Sequence, residues 1–319
     1  VTCCLLTISD NMNDMYEWSS YDGAIDKSKT TKDWAHMMGY YLEKIATAIG
    51  KKKISPHLVA TTEQFLKDDK WEKRAAALIG WTVVGKNFRE GRMISLVNFA
   101  MGVLCDTHPR VRYYSIYLLD SLFRRNDLND HQDRFEKVLT ALIPNLSDPI
   151  IRVRNKTVDA LAKLLLIGEC PDKNILAANY DAIVPILIST MEKWEPYEDV
   201  CQFSSTNTMI VISSFADAAG KDRFKVHFKK VTSLIVTIFR SMDVFITPLA
   251  FSVNRICRVM GSECITLLRL VSFKIDLNIS MVYEIPSKMK AVHTDNFDGS
   301  AETIKEEQKL AHYVKKFSV

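Results

Sequence analysis

The chain has 319 residues, 47% apolar and 25% charged, and its 42 lysines and arginines against 38 acids leave a net charge of +4. That length holds two or three compact domains or one elongated array, and so slight a positive balance does not by itself argue for a nucleic-acid ligand. The 11 glycines and 9 prolines are too few for a fold of many turns, and the 7 cysteines, an odd number with no Cys-x-x-Cys pair, fit a reducing compartment better than a disulfide framework.

In chain order, Val1 to Ile8 is apolar but has no basic residue ahead of it and no small-residue cleavage site, so it does not read as a secretory signal. Cys3 and Cys4 fit there as part of an apolar helix end. Because the chain opens on valine and not methionine, it is read as incomplete at its start. Residues Asp10 to Thr31 are polar and turn-rich and predict a loop. A lone helix follows near Asp33–Ile49, and then helical pairs at about Leu58–Lys86, Arg92–Arg125, Asp133–Glu169, Asn174–Ala219 and Lys221–Arg269. From Val271 the pattern stops: "IPSKMK" and "TDNFDGSAET" read as loop, and Glu302 to Phe317 as one last charged helix. The predicted organisation is therefore 1–31, 32–270 and 271–319. Apolar windows such as Thr232 to Phe251 are broken by Arg240 and Asp243, so none is expected to insert into a membrane.

Three segments repeat one design: "DDKWEKRAAALIGWTVVG", "DTHPRVRYYSIYLLDSL" and "DPIIRVRNKTVDALAKLLL". Each sets an aspartate a few residues ahead of an arginine, and then an apolar helix. Asp69, Asp106 and Asp148 lie 37 and 42 residues apart; Arg74, Arg112 and Arg154 lie 38 and 42 apart. A period of about forty with two helices per unit is the size of a HEAT or armadillo repeat. The preceding helices carry one-sided stripes: Met93, Leu96, Val97, Ala100, Met101 and Leu104; then Phe135, Val138, Leu139, Leu142, Ile143 and Leu146; then Tyr180, Ile183, Val184, Leu187, Ile188 and Met191. Steps of three and one place each set on a single helical face. The second helices have their own stripes, Leu78, Trp81 and Val84 in one and Val158, Leu161, Leu164 and Leu165 in another. An isolated pair cannot bury both; stacked neighbours can. No sustained alternation of period two occurs, which disfavours a sheet. The predicted fold is all-α: an α-solenoid, a superhelix of HEAT repeats made of antiparallel helix pairs. Aspartate at a turn and arginine one turn into the next helix suit a ladder of charge-assisted hydrogen bonds between repeats. Asp69, Arg74, Asp106, Arg112, Asp148 and Arg154 are its expected structural members.

Motifs for chemistry are missing. The seven histidines form no recognisable metal-site pattern with Cys, Asp or Glu. Asp106 and His108, with His131 and Asp133, sit where helix caps belong. There is no P-loop, no Gly-x-Gly-x-x-Gly and no Gly-x-Ser-x-Gly. No catalytic residue, metal or cofactor is expected. A HEAT-like DNA glycosylase would want a basic channel and clustered tryptophans, and Trp18, Trp34, Trp71, Trp81 and Trp194 do not gather in one repeat.

The run "WEKRAAALIGWTVVGKNF … VNFAMGVLCDTHPRVRY" resembles the importin-β (karyopherin-β) nuclear transport receptors, and within them the importin-five branch. There a "W-x-x-R-x-A-A-L" helix precedes one ending "D-x-H-P-R-V-R-Y", as at Trp71–Leu78 and Asp106–Tyr113. The stretch "NYDAIVPILISTMEKW … SFADAAGKDRFKVHFKKV" looks like that branch too, and together the likeness spans about Tyr16 to Leu270. The resemblance implies a central part of an import receptor that takes basic cargo proteins through their nuclear localisation signals. It implies Ran GTPase and nucleoporins as further partners, no direct nucleic-acid contact, a monomer, and shuttling between cytoplasm and nucleus. It also implies that "DNMNDMYEWSSYDGAID" stands in the place of the family's acidic loop, with Asp10, Asp14, Glu17, Asp22 and Asp26 as acids and Trp18 as the aromatic. The inner face of such receptors, made by the second helices, is usually acidic. Its counterparts here are Asp120, Asn155, Asp159, Asn207 and Asp217. Bases crowd them: Lys86, Arg124, Arg125 and Lys163. Cations suit helix C-termini, and against an acidic family they also point to altered cargo choice. The alternative is a HEAT protein-interaction scaffold unrelated to transport. Such scaffolds keep units of nearly constant length, whereas the units here lengthen after Glu169.

Overall fold

The computed structural model describes residues 2–10, 34–85, 90–122, 132–166, 173–192, 199–241 and 247–264. Among them are α-helices and short 3₁₀ turns and no strand. In chain order the helices are α1 (Thr2–Asp10), α2 (Trp34–Ile49), α3 (Lys51–Leu66), α4 (Trp71–Gly85), α5 (Glu90–Gly102) and α6 (Pro109–Leu122). They continue with α7 (Gln132–Leu142, with a 3₁₀ turn over Ile143–Ser147), α8 (Ile151–Leu166), α9 (Lys173–Met191), α10 (Asp199–Ala219), α11 (Lys221–Ser241) and α12 (Thr247–Met260, with a 3₁₀ turn over Gly261–Cys264).

Two compact units divide the chain, Val1–Pro171 and Asp172–Val319. In the first, α3 packs on α4, α5 on α6, and α7 with its 3₁₀ turn on α8, while the second helices stack α2 on α4, α4 on α6 and α6 on α8. The helix read as lone, α2, has a partner: it packs on α1, which also reaches α4. The sequence hides this pairing because the polar segment after Asp10 separates the two helices. In the second unit α9 packs on α10, and α10 on both α11 and α12.

The apolar stripes account for the core. Leu96, Val97 and Ala100 of α5 and Leu104 in the turn after it are buried, as are Phe135, Val138, Leu139 and Leu142 of α7 and all six stripe residues of α9. Each large side chain so buried contributes about 1.5–3 kcal/mol before entropy is counted. Helix α9 is long and apolar enough to cross a membrane by length and composition, yet its buried stripe packs in the core of the second unit. Helix α4 lets α1 approach closely: a Cβ on Gly80 would lie 2.8 Å from Leu5 Cδ2.

Single glycines join consecutive pairs. Gly50 (φ 93°) ends α2 by donating to Ala46 O and opens α3 by accepting from Lys53 and Ile54; Gly220 (φ 80°) does the same between Ala216 and Phe224. Only glycine adopts this backbone without strain. Helix α3 starts at Lys51, not near Leu58 as predicted, and takes in Pro56 at the cost of the one backbone bond a proline cannot donate.

Candidate functional site

The repeat turns carry a hydrogen-bonded ladder. An aspartate three residues before each second helix accepts from the amide two residues on: Asp68 from Lys70 (3.0 Å), Asp106 from His108 (2.8 Å) and Asp148 from Ile150 (2.9 Å). The arginine six residues later donates Nη1 back to that turn's carbonyls: Arg74 to Asp68 and Asp69, Arg112 to Asp106 and Thr107, Arg154 to Asp148 and Pro149. The rest of the guanidinium reaches forward one repeat. Arg74 grips Asp106 through Nε (2.8 Å) and Nη2 (2.9 Å), and Arg112 grips Asp148 at 2.6 and 3.0 Å. The first carboxylate in this register is Asp68, not Asp69, which supplies only a backbone carbonyl to Arg74. Acids and arginines then share one spacing, 38 and 42 residues. With no arginine arriving from a preceding described repeat, Lys73 takes Asp68 at 2.6 Å.

These pairs set local charge. Burial would lift the Asp106 carboxyl, but Arg74 and the His108 amide outweigh it and hold it below the usual range. Burial, then Arg110 beside it, pushes His108 down to about 4. The neutral imidazole stacks on Trp71 across the repeat boundary (3.7 Å between centroids, 12° between planes), with Arg110 5.4 Å from the same indole.

One turn further in, α6 and α8 meet along matching strips. Tyr113, Tyr117 and Asp120 lie at i, i+4 and i+7 on α6, and Arg152, Lys156 and Lys163 share a face of α8. The two tyrosine rings are parallel, 6.4 Å apart; Arg152 sits 5.1 Å from the Tyr113 ring and Lys156 4.7 Å from Tyr117. Such cation–π contacts contribute about 0.5–1 kcal/mol each at exposed sites. Asp120 is the strip's buried acid, its side chain 3% exposed, with Lys156 Nζ 2.6 Å from Oδ2 and Lys163 Nζ 2.6 Å from Oδ1. Burial opposes the charge on both Asp120 and Lys156, but their mutual attraction wins: the carboxyl lies below its ordinary range and the ammonium above. Asn155 and Asp159 are half-buried on α8, and Asp159 adds to the field that keeps Lys156 charged.

In the second unit Asp217 pairs with Lys173 at 2.8 Å, and Asn207 is half-buried on α10. Arg223 binds the Asp181 carboxylate and the Ala177 carbonyl, and Arg255 donates to Ser214. Of the expected acidic-loop residues only Asp10 falls within a described helix; Asp14, Glu17, Trp18, Asp22 and Asp26 lie outside the described residues, as do Lys86, Arg124 and Arg125. Sequence reading missed the two lysines on Asp120 because they lie 36 and 43 residues away; one signal was available, three bases on one face of the next helix. It also missed a cavity of about 740 Å³ between first helices α3 and α5, floored by Trp81 and walled by Val59, Leu66, Phe99 and Val103, with exposed Glu63 and Lys67 on its rim. Among the described residues no three His, Cys, Asp or Glu side chains gather as metal ligands would.

No protein-family profile matches the chain. In sequence it is 22% identical over 321 residues to importin subunit beta-3 of Saccharomyces cerevisiae, across 85% of this chain and 29% of that protein. Crystal structures of Kap121p bound to Pho4p, to RanGTP and to Nup53p match its fold, each with a TM-score of 0.57 over 86% of this chain and 30% of that one, at 21%, 20% and 21% identity. The chain thus spans less than a third of the length of the proteins it matches. Sequence and fold together make it a homologue of importin subunit beta-3 over that stretch, with the HEAT-repeat fold of the karyopherin solenoids.

Proposed function

We propose that this chain is part of a nuclear import receptor of the karyopherin-β kind, which binds cargo proteins and acts with Ran and nucleoporins. The carrying observation is the ordered run of HEAT pairs aligned with importin subunit beta-3 over 85% of the chain. The similar Kap121p has been seen with Pho4p, RanGTP and Nup53p, which supports the same three partner classes here. On this reading the protein shuttles between cytoplasm and nucleus as a monomer.

Work in such a receptor is done by differential binding. Cargo and Ran in its GTP form favour different arrangements of the stacked pairs, so each weakens the other without a covalent step. The second helices of the first unit supply the cargo surface. The apolar cavity between α3 and α5 suits an aromatic or aliphatic side chain of a nucleoporin repeat, the indole of Trp81 providing its floor.

The test is a pull-down on the immobilised full chain with Ran·GTP, Ran·GDP and a lysine-rich signal peptide. Retention of Ran·GTP or of the peptide is expected. Retention of neither removes the transport reading and leaves a HEAT interaction scaffold.

A further inference from the structure

Asp120, one of the acids that the family resemblance marks as partner-facing, is already paired with two of the chain's own lysines. Asp120 is enclosed by two ammonium groups from the next repeat, and the two are not equivalent. Lys156 is 11% exposed and wedged over Tyr117, whereas Lys163 is 33% exposed and reaches Asp120 from the next turns of α8. One carboxylate cannot neutralise two ammoniums, so the cluster keeps one positive charge in excess before Asp159 is counted. Lys156 is the fixed partner. Lys163 is the exchangeable one, because its long side chain can swing into water at little desolvation cost.

We propose that Asp120 forms a binding site for a single lysine ammonium of a partner and that Lys163 is its intramolecular competitor. This rests on the import-receptor reading and names the recognition step within it. Three features make the site selective for an ammonium. The carboxylate is held ionised in a low-dielectric setting where attraction is stronger than in water. Lys156, over the Tyr117 ring, stays in place as the fixed cation and leaves one ammonium position on the carboxylate to be exchanged. Lys163 itself demonstrates that an ammonium fits, with Nζ 2.6 Å from Oδ1 and 2.8 Å from Oδ2. A tethered side chain competes at high effective concentration, so a lysine-rich partner must displace it and binds weakly. Neutralising Lys163, by substitution or by acetylation, frees the position.

The test is fluorescence polarisation of a labelled lysine-rich peptide and a length-matched glutamate-rich peptide, titrated with the full chain as wild type, Lys163→Gln, Lys163→Arg and Asp120→Asn/Lys163→Gln. Lys163→Gln is expected to bind the lysine-rich peptide about fivefold tighter, the size of one weak ion pair. Lys163→Arg keeps a competitor and stays near wild type. The double variant loses the gain, with circular dichroism confirming that it remains helical; if it unfolds, Lys163→Arg carries the comparison, since simple loss of bulk would not separate it from wild type. An unchanged or weaker affinity in Lys163→Gln overturns the proposal, as does equal gain in Lys163→Arg. So does wild-type preference for the glutamate-rich peptide that Lys163→Gln abolishes, which would make the strip an acid-binding face. Binding of Ran·GTP with no gain in Lys163→Gln defeats this inference alone; absence of every interaction defeats the import reading with it.

Discussion

The two units use charge in opposite ways. In Val1–Pro171 the repeats are tied by buried, two-pronged arginine–aspartate rungs, the Asp148 side chain being only 4% exposed. Among the described residues of Asp172–Val319 the ion pairs lie nearer the surface, such as Lys230–Glu192 at 3.0 Å with side chains 60% and 43% exposed. Packing there rests on long apolar runs, Met209–Ile212 with Phe215 and Ala216 of α10. A planar guanidinium that satisfies both its own turn and the next repeat fixes the register between neighbours. A screened surface pair does little of that. The first unit therefore holds its second helices in a fixed register, while the second is stabilised by burial.

The largest expected effect follows from breaking a rung. Arg112→Ala leaves Asp148 buried without its cation and should cost about 3–5 kcal/mol in urea unfolding followed by circular dichroism. A loss below about 1 kcal/mol would put the ladder on a par with the surface pairs of the second unit.

A middle effect concerns pH. His108 titrates near 4 in the folded chain against an ordinary 6.5. As pH falls below 6.5 the unfolded chain takes up a proton that the folded chain refuses, so stability drops between about 6.5 and 4 and levels off beneath. The Asp106 and Asp120 carboxyls, held low by their cations, give up their contributions only at more acid pH, as it falls through their folded values. His108→Phe keeps a ring on Trp71 and should flatten the 6.5–4 limb in a series of melting temperatures. A limb that persists unchanged would assign it to another group.

The smallest effect is expected in the second unit. Lys230→Ala should change stability by no more than about 1 kcal/mol, and less in high salt. A larger loss would mean that its surface pairs do more than the exposure of Lys230 and Glu192 allows.

The fold was legible wherever the signal is local. The stripes of α5, α7 and α9 follow directly from helical spacing, and the arginines Arg74, Arg112 and Arg154 mark the second helices. The adjacent acids Asp68 and Asp69 shifted the register by one residue; the Lys70 amide and the Lys73 ammonium, both bound to Asp68, distinguish them in the structure. The neutralisation of Asp120 was illegible for a different reason. Its acid reads as an inner-face candidate from sequence, but its cations come from another repeat, and their reach depends on how α6 and α8 stack. The Trp71–His108 stack joins two repeats in the same way.

Hydrogen exchange by mass spectrometry over the full chain, wild type beside Arg112→Lys, tests most directly the claim that buried rungs hold the second helices in register. Lysine keeps the charge but loses the two-pronged grip. Peptides from α6 and α8 are expected to exchange faster in the variant, with those from α10 and α12 unchanged as the internal reference. Undiminished protection in α6 and α8 would contradict the account.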